Sequence, residues 1–363
     1  MTVGTPLRLL AYTRYGALGA SSRVRLLHFI PALRDAGIEV TVRPLLSDDY
    51  LRHKYAGRGV TGEIVAAYAR RAFQLAQTPN ADVVWIEKEL WPWAPAWLER
   101  GAWHGKPVVL DYDDAVFHNY DLHRLAAVRA LYGGKIDALM KRASLVTAGS
   151  GYLAGRARSA GATRVEWLPT VVDTARYRVA PAKPHDDGRP LVIGWIGSPA
   201  TIGYVRALAE PLAALARQRR IVLRLIGAKL DLPGVPVEFV PWAEDREVEA
   251  IATFDVGVMP LPDSPWERGK CGYKLVQYMA CGLPVVASPV GANMQIVLPG
   301  ETGFLAANDA EWLSALTRLV DDAALRQRLG AAGRARAEAH YSLHAAAPRL
   351  AAWLHGLARP ATR

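Results

Sequence analysis

Apolar runs of four to seven residues recur along the first half of the chain: LRLLAY (7–12), IEVTV (38–42), DVVWI (82–86), PVVLDY (107–112) and SLVTA (144–148). Longer segments with helical periodicity lie between them, over Ser22–Ala36, Glu63–Gln77 and His123–Arg142. Short, β-branched, non-alternating runs separated by helices predict a parallel sheet covered on both faces. The alternation pauses over TVVDTARYRVAPAKPHDDGRP (170–190), a polar stretch with three prolines. It resumes with LVIGWIG (191–197), IVLRLIG (221–227), VEFVPW (237–242), DVGVMPL (255–261) and PVVAS (284–288). The pattern predicts two Rossmann-like doubly wound domains facing across a cleft, over residues 1–172 and 191–342, with 173–190 as linker. The last helical segment, Leu343–Leu357, either completes the second domain or crosses back to the first. Ligands of such sheets bind beyond the carboxyl ends of the strands, so the residues just after each run are the candidates.

One stretch is chemically unusual. In ERGKCGYKLVQYMACGLPVVASPVG (267–291) a glycine-containing loop leads into a helix expected over 273–280. Lys270 lies in that loop and Lys274 in the first turn. Cations there oppose the helix dipole at a cost of a few tenths of a kcal/mol, and an anion bound to the free amides would reverse the sign. The competing reading is two solvated surface lysines. Gln277 lies one turn further along the same face, suited to sugar hydroxyls.

The run KLVQYMACGLPVVASPVGANMQIVLPGETGFLA resembles the C-terminal nucleotide-sugar site of GT-B glycosyltransferases, specifically the retaining family-4 group. That family places two glutamates eight apart before its Ala-Met-Ala-x-Gly-x-Pro-Val-Val segment. Here those positions fall on Gly269 and Gln277, so the chain is a divergent member by this resemblance, with Glu267 as the nearby carboxylate. The resemblance extends to most of the chain. GALGASSRVRLLHFIPALRDAGIEVTV (16–42) is similar to the family's opening glycine loop, which implies donor contacts at Gly16 and Gly19. Arg23 and Arg25 begin the following helix, where arginine implies a nearby anion or carboxylate, or an ordinary exposed start.

KPVVLDYDDAVF (106–117) resembles the strand after which the family carries a His-Asp pair, with Asp113 and Asp114 in those places. Clustered carboxylates raise one another's pKa, and Asp113 would then hold or deprotonate an acceptor hydroxyl. Asp114 contacts the acceptor or caps the next helix. Glu87 and Glu89 follow DVVWI and either reach the ligand or pair with Lys88 or Arg100. LVIGWIGSPATIGYV (191–205) looks like the family's phosphate loop, with Ser198 and Thr201 replacing its Arg and Lys. Lys270 and Lys274 would supply the missing charge. Trp242, in VEFVPWAED, either borders the base or belongs to the core. SLVTAGSGYL (144–153) lacks the first glycine of a nucleophile elbow, and Ser150 reads as a helix N-cap.

The resemblance implies retaining transfer of a sugar from a nucleoside-diphosphate sugar to an acceptor hydroxyl, in polysaccharide or glycolipid assembly. Lys274 would stabilise the departing diphosphate. The same architecture serves nucleotide-sugar epimerases and hydrolases, and the missing glutamates also admit a non-catalytic binding scaffold. No cofactor is expected beyond the sugar nucleotide, and no metal. Asp111 and Asp113 form Asp-x-Asp only as alternate residues of one strand.

Composition adds partners and place. The net charge is +10, concentrated in residues 1–180, which hold 24 Lys+Arg against 16 Asp+Glu, while residues 181–363 hold 20 against 18. No zinc finger, RNP motif or basic tract accompanies it, so nucleic acid is not expected. The segment ELWPWAPAWLERGAWHGK (89–106) sets Trp91, Trp93, Trp97 and Trp103 among Arg100, His104 and Lys106. That mixture suits either an anionic membrane surface or packing beneath the proline-rich loop. Cys271 and Cys281 have no metal-ligand spacing, and the N-terminal run reads as a strand and not a signal peptide. The expected setting is cytoplasmic, with peripheral contact at the inner face of the cell membrane.

Overall fold

Each apolar run named above forms a strand, and every strand pairing among the described residues is parallel. The computed structural model describes residues 5–77, 80–179 and 188–358. The chain divides into two units, Met1–Thr170 with Leu343–Arg363, and Val171–Ser342.

The first unit holds β1 (Leu7–Tyr15), β2 (Ile38–Leu46), β3 (Val83–Glu87), β4 (Val108–Tyr112), β5 (Leu145–Ala148) and β6 (Val165–Trp167), in the order β2-β1-β3-β4-β5-β6. The second holds β7 (Leu191–Ile196), β8 (Ile221–Ile226), β9 (Val237–Val240), β10 (Val256–Met259), β11 (Val285–Ala287) and β12 (Gly303–Leu305), in the order β12-β11-β10-β7-β8-β9. The central strands β3, β4 and β10 are buried throughout, as unbroken apolar runs require when helices cover both faces. The expected runs omit β6 and β12, three-residue strands at sheet edges that carry no periodic signal of their own.

Each sheet reverses its winding once, between β1 and β3 in the first unit and between β7 and β10 in the second. Loops diverge to opposite faces at such a point and leave a crevice beyond the strand ends. That rule selects, in each unit, the loops that follow the strands on either side of the reversal.

Two expected helices are broken where their residues dictate. Ser22–Ala36 becomes Ala20–Arg25, a 3-10 turn at Leu27–Phe29 and Ile30–Asp35, with Pro31 opening the last piece. His123–Arg142 becomes Ala126–Tyr132 and Lys135–Met140, divided at Gly133-Gly134. The terminal helix, Leu343–Ala358, belongs to the first unit: Arg349 donates to the Trp167 carbonyl at 3.1 Å, and His355 Nε2 meets the Ala36 carbonyl at 2.9 Å. Of the expected linker, residues 180–187 lie outside the described residues, and Tyr177 is buried in the second unit.

Close helix–strand approach in the second unit depends on glycine. A Cβ at Gly194 would lie 2.0 Å from Cγ of the buried Phe254 ring, and one at Gly257 would lie 2.3 Å from the Tyr278 ring. Gly194→Ala is therefore expected to destabilise the protein by about 2 kcal/mol or more through overpacking, read as a lowered urea midpoint at unchanged m-value.

Candidate functional site

In the first unit the carboxyl ends of β1, β3 and β4 converge on a cluster of charges. The Ala20–Arg25 helix is fixed by Arg25, whose buried guanidinium grips Asp111 of β4 through Nε to Oδ2 at 2.9 Å and Nη2 to Oδ1 at 2.5 Å. Arg25 also donates to the Leu168 carbonyl at 2.7 Å, and Thr147 donates to Asp111 Oδ1 at 2.7 Å. The carboxylate expected near this helix is thus Asp111. Its two neighbours on the helix reach the strand ends: Ser22 Oγ donates to Glu87 Oε2 at 2.5 Å, and Ser21 Oγ donates to Asp113.

Lys88 stands at the middle of the cluster, whereas from sequence it figured only as an alternative partner for Glu87 and Glu89. Its ammonium is buried, 3.0 Å from Asp113 Oδ1, 3.5 Å from Asp114 Oδ2 and 3.1 Å from Ser21 Oγ. Lys88 adopts φ 65°, and the Glu89 amide donates to the Glu87 carbonyl across it at 2.8 Å. Such a left-handed γ-turn on a residue with a side chain is strained, and strain of this kind is concentrated at functional sites. Burial disfavours its charge, but Asp113, Asp114 and Glu87 more than compensate and hold its pKa far above the ordinary lysine value.

The expected upward shift of Asp113 is not found. Burial pushes its carboxyl up, yet Lys88 and Arg25 outweigh that and hold it below its ordinary value. The carboxylate repulsion invoked from sequence is overridden by an intervening ammonium. Glu87 moves the other way: burial raises it, only partly offset by Lys88. Glu89 pairs with neither Lys88 nor Arg100 but with Lys135, at 2.7 Å, and accepts from Tyr120 Oη at 2.7 Å. Asp114 is half-buried against Lys88 and makes no N-cap, since no side chain caps the next helix, His118–Asp121.

The glycine loop has a local reason for its glycines. A Cβ on Gly16 would lie 2.5 Å from the Asp48 carboxylate, which accepts from the Leu18 amide at 2.9 Å, and one on Gly19 would strike the Tyr15 side chain at 2.3 Å. Arg23 is buried and donates to the Ala17 carbonyl of the same loop at 2.9 Å. Ser150 caps the Gly151–Ser159 helix by accepting from the Leu153 amide at 3.4 Å.

In the second unit the crevice beyond β7 is built around Trp195. A Cβ on Gly197 would lie 2.4 Å from the Trp195 ring, and one on Gly227, after β8, would lie 2.4 Å from the Gly197 carbonyl. Two backbone loops meet there without side chains between them. Ser198 is half-exposed, and its carbonyl accepts from the Thr201 amide at 2.9 Å and Thr201 Oγ1 at 3.2 Å. Lys274 Nζ lies 5.4 Å from the Trp195 ring centroid, a cation–π distance. Its helix, Tyr273–Ala280, begins after Gly272 at φ 67° and has neither a side-chain cap nor an acidic residue in its first turn. The positive φ favours glycine at 272, and a Cβ there would lie 2.2 Å from Ile296 Cδ1. Lys270 Nζ lies 5.9 Å from the Trp266 ring.

Glu267 is buried and occupied: Tyr204 Oη donates to Oε1 at 2.6 Å, and Ser264 Oγ donates to Oε2. Burial raises its pKa, but Ser264, Tyr204 and Lys270 outweigh this and leave it below its ordinary value. Gln277 is likewise turned inward at 2% exposure, with Nε2 donating to Tyr177 Oη at 2.8 Å and Glu247 Oε1 at 2.9 Å. Glu247 also accepts from Trp242 Nε1 at 2.7 Å and from Tyr177 Oη. Three residues far apart in sequence, Tyr177, Trp242 and Gln277, therefore share the buried Glu247 carboxylate. Trp242 is half-buried at its edge, and a cavity of about 570 Å³ bounded by Ile226, Val240, Pro241, Glu247 and Ala250 adjoins the ends of β8 and β9. Among the described residues no group of three or more His, Cys, Asp and Glu is placed to hold a metal ion.

Residues 190–322 match the family described as glycosyl transferases group 1. Over 129 residues the chain is 30% identical to the D-inositol 3-phosphate glycosyltransferase of Pseudarthrobacter chlorophenolicus, covering 35% of this chain and 30% of that protein. The chain thus spans under a third of that relative's length. Among solved structures it is similar to Anabaena Alr3699/HepE in complex with UDP and glucose, at TM-score 0.71 and 17% identity over 96% of this chain and 100% of that one. It is also similar to sucrose-phosphate synthase from Thermosynechococcus elongatus, at TM-score 0.68 and 17% identity over 97% and 99% of the two chains. At these identities the likeness fixes the fold, which is GT-B with its two Rossmann-like domains.

Two measurements follow. Removing the shared carboxylate by Glu247→Ala leaves the donors of Tyr177, Gln277 and Trp242 buried without their acceptor and is expected to cost about 3 kcal/mol in urea unfolding. Asp113, with its folded pKa below the unfolded value of about 3.9, contributes stability that is present above that pH and is lost as pH falls through the folded value. Asp113→Asn should therefore flatten the acid side of the stability–pH curve below about pH 4, with a parallel curve counting against the ion pair.

Proposed function

We propose that this chain transfers a glycosyl group from a nucleoside-diphosphate sugar to an acceptor hydroxyl, with retention, the second unit holding the donor and the first the acceptor. The observation that carries the reading is the Lys274 ammonium over Trp195, at the start of a helix that no side chain caps, beyond the strands where the second sheet reverses. A cation there runs against the helix dipole, and an anion bound to the first amides reverses that sign. A diphosphate at the same place accepts from backbone amides and Lys274 together. In transfer the bond between the anomeric carbon and the diphosphate oxygen breaks, and negative charge grows on that oxygen. Lys274 and Lys270 stabilise it, and the glycine approach of Gly197 and Gly227 gives the phosphates room beside backbone.

The comparisons support this reading at its coarse level: the group 1 match falls in the second unit, and the related HepE structures contain UDP and UDP-glucose. In the first unit the acceptor hydroxyl donates to Asp113. Because Lys88 keeps that carboxylate anionic and weakly basic, its role is to orient the hydroxyl, and the proton leaves with the diphosphate. A glycan or lipid-linked acceptor of polysaccharide or glycolipid assembly fits this role.

A second reading, a non-catalytic scaffold that binds sugar nucleotides, draws on one observation: Glu267 and Gln277 are already committed to protein partners. Titration with UDP-, GDP- and ADP-sugars separates binding from turnover. Donor binding without release of the nucleoside diphosphate in the presence of glycan acceptors favours the scaffold.

Lys274→Ala is expected to lower the transfer rate about a hundredfold and to weaken donor binding. Full rate and full donor affinity in that variant would remove the electrostatic role. Lys88→Met should raise the pKa of Asp113, so the acid limb of the rate–pH profile should move to higher pH while the plateau pH range narrows.

A further inference from the structure

An apolar surface that the proposed reaction leaves unused lies in the first unit, on the two chain segments that leave the carboxyl ends of β3 and β4. The Ala126–Tyr132 helix has no buried residue. Leu122, Leu125 and Leu131 are 57%, 54% and 69% exposed. Val128 and Leu131 lie three apart on this helix, and Leu122 and Leu125 precede it on the same segment. Seven-residue helices are not stable by propensity alone, so one with no buried side chain needs something to cover it.

The segment after β3 joins the same patch. Trp93, 48% exposed and at φ 65°, sets its ring edge-on to Tyr120, His123 and Tyr132, with centroids 5.0, 5.9 and 6.2 Å apart. Trp97, on the Ala96–Gly101 helix, is 66% exposed. Of the four tryptophans in the 89–106 segment, Trp103 alone is fully packed away and Trp91 is half-buried. Packing within the protein therefore covers Trp103 and leaves Trp93 and Trp97 largely open to solvent.

Charge decides what covers the patch. From Leu122 to Gly134 the chain carries Arg124 and Arg129 and no acidic residue. The adjoining Asp121 is already paired with Arg156 at 3.0 Å and with His118 at 2.7 Å. A second copy of the chain would set these arginines against their own kind, with no carboxylate in the segment to answer them. Exposed leucines beside tryptophans and arginines match the boundary layer of a bilayer, where aliphatic groups enter the acyl region and guanidinium groups meet phosphate.

We propose that this surface docks on an anionic lipid membrane, with the Ala126–Tyr132 helix lying in the interface plane and Trp93 and Trp97 at headgroup depth. The contact is peripheral, since among the described residues no helix is long and apolar enough to cross a membrane. Docking presents the strand ends that carry Lys88 and Asp113 to the lipid surface, where a lipid-linked acceptor would be met. The surface itself does not depend on the transfer reading, because vesicle binding is measured with no donor or acceptor present.

The test is co-sedimentation of the full chain with phosphatidylcholine vesicles, with and without phosphatidylglycerol. The expected result is pelleting with the anionic vesicles, weakened by salt, and little with phosphatidylcholine alone. Leu125→Ser with Leu131→Ser should lower the partition coefficient about tenfold or more at unchanged thermal melting, and Arg124→Glu should lower it separately. Wild-type protein left in the supernatant with anionic vesicles at low salt overturns the proposal, as does either variant pelleting like wild type. A dimer in sedimentation velocity that the leucine pair dissociates, without vesicle binding, assigns the patch to a second copy and overturns it too.

Discussion

The buried pair between Arg25 and Asp111 is the fixed point from which the first unit's chemistry is set. Removing one partner of such a pair costs about 3–5 kcal/mol, whereas replacing both by apolar groups is close to neutral, so the pair's value lies in placement and not in net stability. Two bonds to one carboxylate and a third to the Leu168 carbonyl leave the guanidinium a single orientation. The helix that carries it is only six residues long and could not hold its own rotation. With Arg25 fixed, Ser22 faces Glu87 and Ser21 faces Asp113. The charge state of Asp113 is then decided by Lys88, which sits between two carboxylates because its own backbone is held in a γ-turn.

The second unit solves a different problem with the same material. A helix start that attracts anions must not be satisfied by the protein, and the Tyr273–Ala280 helix has no acidic residue in its first turn and no side-chain cap. Carboxylates nearby are instead occupied by donors from the protein. Glu267 is held by Tyr204 and Ser264, and Glu247 by Tyr177, Trp242 and Gln277. Gln277 explains itself in this setting. A glutamate there would place a second negative charge within hydrogen-bonding distance of Glu247, so the amide is the residue that the network requires.

The layout of both sheets was legible because central parallel strands are unbroken apolar runs, and the reversal points then located the loops. The short edge strands were not, because three residues carry no period. Ser150 as a helix cap was readable from its place before a helical segment. Lys88 was not, since nothing in Glu-Lys-Glu distinguishes a solvated lysine from one folded inward by a left-handed turn. Glu247 was invisible for another reason: its partners at 177, 242 and 277 come together only through tertiary packing. The direction of Asp113 failed from sequence because a count of nearby carboxylates omits the cation between them. Gly19 also has a local reason that the sequence did not show, since a Cβ there would strike the Tyr15 side chain.

The basic excess of the N-terminal half also acquires a structural division. Arg25, Arg71 and Lys135 are buried and spend their charge on carboxylates or carbonyl groups inside the unit. The charges of Arg25 and Lys135 are cancelled locally by their carboxylates, whereas Arg71 donates to carbonyl groups, which carry no net charge. What a partner in solution meets is the exposed remainder, including Arg124 and Arg129 in the segment that lacks acids. The sign of the whole chain therefore says little about its ligands, and the local absence of carboxylates around exposed leucines says more. Because an ion pair leaves the net charge unchanged, what informs binding is where the uncompensated charges lie on the surface.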